Sequence, residues 1–170
     1  MKMRLLINGL LLICLLLFTA CRQENTSGDP SPQGHAGTVK PTYDSVTAKK
    51  YGADDYGMKK YVFAFLKRGA NRDLPPEKAR DLQMAHLKNI ERMAKEGKLV
   101  LAGPFMDRGD LRGIYIFNVE SIEEAEQLTN TDPAIQAGSL AMELKEWYGS
   151  AALMALNDLH KTVQKKGITE

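Results

Sequence analysis

The chain has 170 residues, 44% hydrophobic and 26% charged, with a formal net charge of +2. That composition fits one globular domain with an appendage. The two surplus charges are Lys2 and Arg4, and the rest of the chain is formally neutral, which argues against the basic surface that nucleic-acid binding requires. The two cysteines, Cys14 and Cys21, both lie near the start, so neither a disulfide framework nor a thiol nucleophile is expected in the folded domain.

Residues 1–20 have the layout of a secretory signal peptide. Lys2 and Arg4 precede an apolar run from Leu5 that reaches small residues before Cys21, and the run is shorter than the ~20 apolar residues of a spanning helix. "LFTAC" resembles a bacterial lipobox, with Cys21 as the lipidated mature N-terminus. The expectation is an exported protein anchored to the bilayer of the cell envelope, and Arg22 in place of aspartate favours the outer membrane. Residues 21–59 read as a tether and a pre-domain segment. Asn25 to Pro41 is rich in Ser, Gly and Pro, the composition of a flexible linker. A brief, loosely packed helix follows, capped by Asp44 or Ser45 and closed by Gly52 and Gly57.

Residues 60–149 form the domain proper. "KYVFAFLKR" predicts a strand buried on both faces. "LPPEKARDLQMAHLKNIERMAKEGK" predicts a long helix, with Pro75 or Pro76 in its first turn, Glu77 at the positive dipole end and Gly97 as its stop. "LVLAGPF" and "GIYIFNVE" predict two strands joined by a polar hairpin tip that contains Arg108-Gly109-Asp110. Ser121 and Glu124 form a capping box for the helix "IEEAEQLT". Asp132-Pro133 opens a further helical turn, and "SLAMELKEWYG" is the last strand. Residues 150–170 predict a terminal helix with Leu153, Leu156, Leu159 or His160, and Val163 on one side. The order is βαββαβ, a ferredoxin-like α+β fold with helices on one face of an antiparallel sheet. The other face needs cover, and a second copy of the chain supplies it most simply, so a homodimer is expected.

His86 is out of character for its position. Ala79, Leu82, His86, Ile90 and Met93 follow at three- and four-residue steps, so the imidazole shares the apolar, inward face of the helix. Arg80, Lys88 and Arg92 fall on other faces as solvated charges. The helical neighbours of His86 at useful offsets, Leu82, Gln83, Asn89 and Ile90, do not make a zinc or iron site, so no metal is expected. No "GxSxG" elbow or glycine-rich phosphate loop is present, and no cofactor is expected. Two bland explanations stand at this point. A lone inward histidine is commonly a satisfied core residue, and Asp before Pro is the preferred start of a helix.

"AHLKNIERMAKEGKLVLAGPF" followed by "GIYIFNVESIEEAEQLTNTDPAIQAGSLAMELKEWYG" resembles the YciI-like (YCII-related domain) family over Lys60 to Gly149. The marks are His86-Leu87, Ala102-Gly103-Pro104, the helix start after Glu120, Asp132-Pro133 with Ala137-Gly138, and Trp147. The resemblance implies a dimeric α+β barrel and a His-Asp pair, His86 and Asp132, in a pocket near the dimer interface. It also implies that Gly103, Pro104, Gly138 and Trp147 shape the pocket wall around a small organic molecule of phenol or lactone type. Many relatives carry His-Pro before that tryptophan, where this chain has Lys145-Glu146, so the pocket rim differs. The expected chemistry is proton abstraction from carbon, in isomerisation or elimination. A ligand-binding module and a purely structural envelope protein are the competing expectations.

Overall fold

A computed structural model describes residues 42–170. The expected signal peptide, Cys21 and the linker through Pro41 lie outside the described residues. The first element, α1 (Ser45–Tyr51), is capped as expected: Asp44 Oδ1 accepts the backbone N–H groups of Val46 and Thr47 at 3.0 and 3.1 Å. Gly52 closes it with φ +69°, the left-handed region that glycine enters without a Cβ penalty. No residue of this helix is buried, in keeping with a peripheral segment.

The strand β1 (Met58–Arg68) starts two residues before the expected Lys60, because its pairing with β4 (Leu140–Ser150) runs from Met58–Ser150 to Arg68–Leu140. Between them in the chain come α2 (Pro76–Lys95), β2 (Leu99–Pro104), β3 (Leu111–Phe117), α3 (Ile122–Thr129) and α4 (Pro133–Gln136). The four strands form one sheet in the order β2-β3-β1-β4, every neighbouring pair antiparallel. That is the ferredoxin-like α+β arrangement expected from the sequence.

Alternation along the strands divides the sheet into two unlike faces. The helix-side core takes Val62, Ala64 and Leu66 from β1, Tyr115 and Phe117 from β3, Met93 from α2 and Ala125 from α3. Leu140, Met142 and Leu144 of the edge strand β4 pack against it. The opposite face carries Tyr61, Val100 and Ile116 under a lid of Leu153, Met154 and Leu156. Beyond that lid lie Phe63, Phe65 and Trp147, with Phe63 centred 4.9 Å from Phe65 and 5.9 Å from Trp147.

The terminal segment departs from the single helix expected. It opens as a 3₁₀ turn (Ala151–Ala155) and continues as α5 (Leu156–Val163). The N–H of Ala151 is still tied to the carbonyl of Gly57 at 2.9 Å, so the chain leaves the sheet edge through a tight turn. The expected apolar stripe is only half used, since Leu159 and Val163 are exposed.

Candidate active site

The inner face of α2 is slightly rotated from the expected one. His86, Asn89 and Met93 are its buried residues, Leu82 and Ile90 are half-buried, and Ala79 is exposed. These three, at steps of three and four, meet the sheet and the segment Thr129–Ala134. The ring of His86 lies near-parallel to that of Tyr115, at 6.2 Å between centroids.

Asp132 uses its two carboxylate oxygens for two purposes. Oδ1 accepts the N–H of Ala134 at 2.8 Å and so caps α4. Oδ2 lies 2.5 Å from Nδ1 of His86. The helix-cap explanation and the histidine-partner explanation, alternatives in the sequence, are both satisfied by one side chain. Asp132 is fully buried and His86 is 7% exposed, so the pair lies in a medium where such a bond is electrostatically strong. A carboxylate only accepts, so Nδ1 carries the proton and Nε2 keeps a lone pair. The hydroxyl of Tyr115 lies 3.3 Å from Nε2 and donates to it. Burial first, and then the charge of Asp132, pushes the Tyr115 phenol well above its ordinary range, so Tyr115 holds its proton. Together these side chains make a buried donor–acceptor row: Tyr115 O–H to His86 Nε2, and His86 Nδ1–H to Asp132.

A second row runs beside the first. Asn89 Oδ1 accepts from Nη2 of Arg92 at 2.9 Å and from Oγ1 of Thr131 at 3.2 Å, and Arg92 Nη2 also reaches Thr131 at 2.8 Å. Arg92 is therefore not the solvated charge that its helical position predicts; it ties α2 to the residue preceding Asp132. Asn89 falls three residues after His86, so spacing alone placed it on the same face, but its polarity concealed its burial. Tyr115, one aromatic among the apolar residues of β3, carries no mark of its own in the sequence. Nothing in local spacing brings β3 to His86.

The remaining wall residues are dispersed. Gly103 pairs with Ile114 and Trp147 with Tyr61, which places both on the sheet face away from α2. Within one chain, then, neither shares a pocket with His86 and Asp132. Pro104 is exposed beside Gly113 at the end of β2. Gly138, with φ +67°, makes the left-handed turn into β4, near Asn71. Two cavities stand out, one of about 100 Å³ and one of about 420 Å³. The larger runs between α3, α4 and β4; neither is lined by His86 or Asp132. Among the described residues no group of three or more His, Cys, Asp or Glu side chains is placed to hold a metal ion. No helix among them is long and apolar enough to cross a membrane.

Comparison with known proteins places the chain in a family. A YCII-related domain matches residues 61–148. The uncharacterized protein YjpA of Bacillus subtilis is 34% identical over 62 residues, 36% of this chain and 71% of the relative. A solved structure, 5-chloro-2-hydroxyhydroquinone dehydrochlorinase from Burkholderia phenoliruptrix in complex with 2,5-dihydroxybenzoquinone, is 24% identical. The match covers 51% of this chain and 92% of that one, at a TM-score of 0.39. The domain match spans more than half of the sequence, strand β1 to strand β4, and this chain belongs to the YCII-related family.

Proposed function

We propose that this is an enzyme of the cell envelope in which His86, oriented by Asp132, moves a proton to or from carbon in a small organic molecule, in an isomerisation or an elimination. The observation that carries this is the 2.5 Å contact between Nδ1 of His86 and Oδ2 of Asp132 inside the core. With Nδ1 committed, Nε2 is the basic atom, and it accepts from the Tyr115 hydroxyl at 3.3 Å. The balance of protons is simple. Nε2 takes the proton from substrate carbon once the Tyr115 hydroxyl turns aside, and the imidazolium formed is stabilised by the Asp132 carboxylate. A base positioned in this way contributes roughly 10²–10⁴-fold in rate.

The test is solvent-deuterium exchange, read by NMR, into a panel of small phenols and lactones incubated with the full-length protein. At least one compound is expected to exchange, and His86→Ala is expected to slow it by roughly 10²–10⁴-fold. Exchange that survives His86→Ala undiminished overturns the assignment.

Two further parts of the proposal concern assembly. The pattern of Lys2, Arg4, the apolar run and Cys21 supports export and a lipid anchor at Cys21. Cys21→Ala is expected to release the protein from membranes, and its continued sedimentation with them argues against the anchor. The aromatic group Phe63, Phe65 and Trp147 on the face away from α2 supports a homodimer with sheets facing one another.

One observation favours a different role. His86 is nearly buried and both ring nitrogens already have partners, which is how a structural polar brace is built. A brace predicts that His86→Leu, which leaves the buried Asp132 carboxylate without its partner, loses about 3–5 kcal/mol of stability, and that no compound in the panel exchanges.

A further inference from the structure

We propose that Arg68, Arg72 and Arg112 form a seat for an oxyanion, the carboxylate or phosphate group of a small soluble molecule. All three line the cavity of about 100 Å³, together with Ser139 and Leu140. That space is enough for one oxyanion and is open to solvent on one side, so the body of a ligand can extend beyond it.

The seat is fixed before any ligand arrives. Nη2 of Arg68 donates to the carbonyls of Arg108 and Gly109 at 2.9 and 3.4 Å, and Nη1 of Arg112 donates to those of Asp107 and Gly109 at 3.3 and 3.2 Å. Each guanidinium thus spends one nitrogen on the hairpin tip and keeps the rest of its fork for other acceptors. Nε of Arg68 is buried without a hydrogen-bond partner. Its nearest counter-charge is Oδ1 of Asp110 at 3.5 Å, on a side chain 95% exposed. Asp107, the other carboxylate of the tip, accepts the N–H of Gly109 at 2.7 Å. Among the described residues Arg72 makes no ion pair. Three cations therefore face two tip carboxylates, Asp107 and Asp110, of which only Asp110 is ion-paired, and to only one of them; the remaining imbalance attracts an anion.

The backbone beneath the seat is held closely. A Cβ on Gly69 would meet the Gly138 carbonyl oxygen at 2.1 Å, so only glycine lets β1 run into the turn before β4. Gly69 N–H donates to Ser139 O and Asn71 N–H to Gly138 O, each at 2.9 Å, which fixes the loop that carries Arg72. The same turn leads to the dyad: the N–H and Oγ of Ser139 both donate to Ala134 O, and Ala134 N–H donates to Asp132. Along β3, Arg112 precedes Tyr115 by three residues, roughly 10 Å of strand. An acidic group seated here would place the ligand at the end of β3 that leads, three residues on, to the buried Tyr115. Treating the anion as the substrate's own acidic group rests on the acid/base function proposed above; the seat itself does not.

The test titrates the full-length protein in detergent micelles, by calorimetry at low ionic strength, with inorganic phosphate and separately with benzoate. Arg72 is the residue to change, because Arg68 and Arg112 also hold the hairpin tip. Saturable binding of at least one anion is expected. Arg72→Gln should weaken it by about tenfold, the loss of one charge-assisted contact, with an unchanged circular-dichroism spectrum, and Arg72→Lys should recover part of the loss. The tighter of the two anions identifies the group. Equal affinity in Arg72→Gln and the native protein overturns the proposal, as does the absence of binding. Phosphatidylglycerol vesicles are the third probe. Vesicle binding that depends on Arg72 without binding of either free anion would make the source a lipid headgroup and overturn the assignment to a small soluble ligand. His86→Ala is expected to bind the anion normally while losing exchange, so the seat and the dyad fail separately.

Discussion

The two polar clusters of this molecule are built on opposite terms. Around His86, three side chains that are almost completely buried are matched donor to acceptor: Tyr115 to Nε2, and Nδ1 to Asp132. Around Arg72, three cations face two carboxylates of the hairpin tip, only one of them ion-paired, and donors outnumber acceptors. Burial explains the difference. An unmatched polar group in a core costs about 1–3 kcal/mol, so the row around His86 must be self-sufficient. In the outer cluster, by contrast, water can reach all the unmatched guanidinium donors except the buried Nε of Arg68 until a ligand displaces it. The closed cluster is suited to orienting one base and stabilising its protonated form, and the open one to drawing in an anion.

The sharpest way to break that comparison is to remove the acid from the closed cluster. Asp132→Ala strips His86 of its partner and α4 of its cap at once, and should cost about 3–5 kcal/mol. Asp132→Asn keeps the cap, since asparagine serves as well there, and should cost less. Urea unfolding of both variants checks this. A loss in Asp132→Ala no larger than about 1 kcal/mol, the worth of a cap alone, would mean that the contact with His86 contributes nothing.

Tyr115→Phe is the next step down. It removes a 3.3 Å hydrogen bond without emptying the core, and about 1 kcal/mol is the expected loss. The variant also carries a pH signature. The folded-state value of Tyr115 is raised above its ordinary 10.0 by burial and by Asp132. Above that pH the unfolded chain ionises while the folded one resists. This contribution to stability is complete below 10.0 and erodes as the pH climbs beyond it. Part of the alkaline loss of stability seen in the native protein should be missing from Tyr115→Phe; identical alkaline slopes would show that Tyr115 is not the group held neutral.

The closed cluster was half legible in the sequence, and the open one was not. His86 betrayed itself by interrupting an apolar stripe, and Asp132 by preceding a proline, because each signal is local. Their contact, and the approach of Tyr115, depend on β3 lying beneath α2, which no short-range pattern encodes. Arg68, Arg72, Arg112 and Ser139 are scattered along the chain and meet because the antiparallel register brings the end of β1 to the starts of β3 and β4. The same distinction separates the elements. Asp44, Ser121 and the glycines at 52 and 97 marked helix ends correctly because caps are local. The composition of the tail predicts one helix, but its first residues remain tied to the sheet, a constraint that composition does not carry.

Arg72→Gln sharpens the contrast from the other side. A side chain whose donors wait for a ligand contributes little to folding, so its removal should leave stability within about 0.5 kcal/mol while anion affinity falls. A large loss of stability would place Arg72 among the structural residues instead.

The smallest effect is expected where charges are matched but exposed. Glu143, between Lys145 and Lys67 on the sheet face away from α2, has the same ionic complementarity as His86 and Asp132 but none of their burial. Hydrogen bonds and charge from Lys145 first and Lys67 second push its carboxyl down to about 2 from an ordinary 4.5. A depressed value stabilises the fold above 4.5, and the contribution disappears as the pH falls toward 2. Glu143→Gln should therefore differ slightly from the native protein at neutral pH and converge with it in acid. The difference should also shrink in concentrated salt, because solvent ions reach this pair and do not reach the one in the core. A gap that widens as the pH falls, or that ignores salt, would mean that Glu143 acts through packing rather than charge, and the contrast between buried and exposed pairs would lose its exposed member.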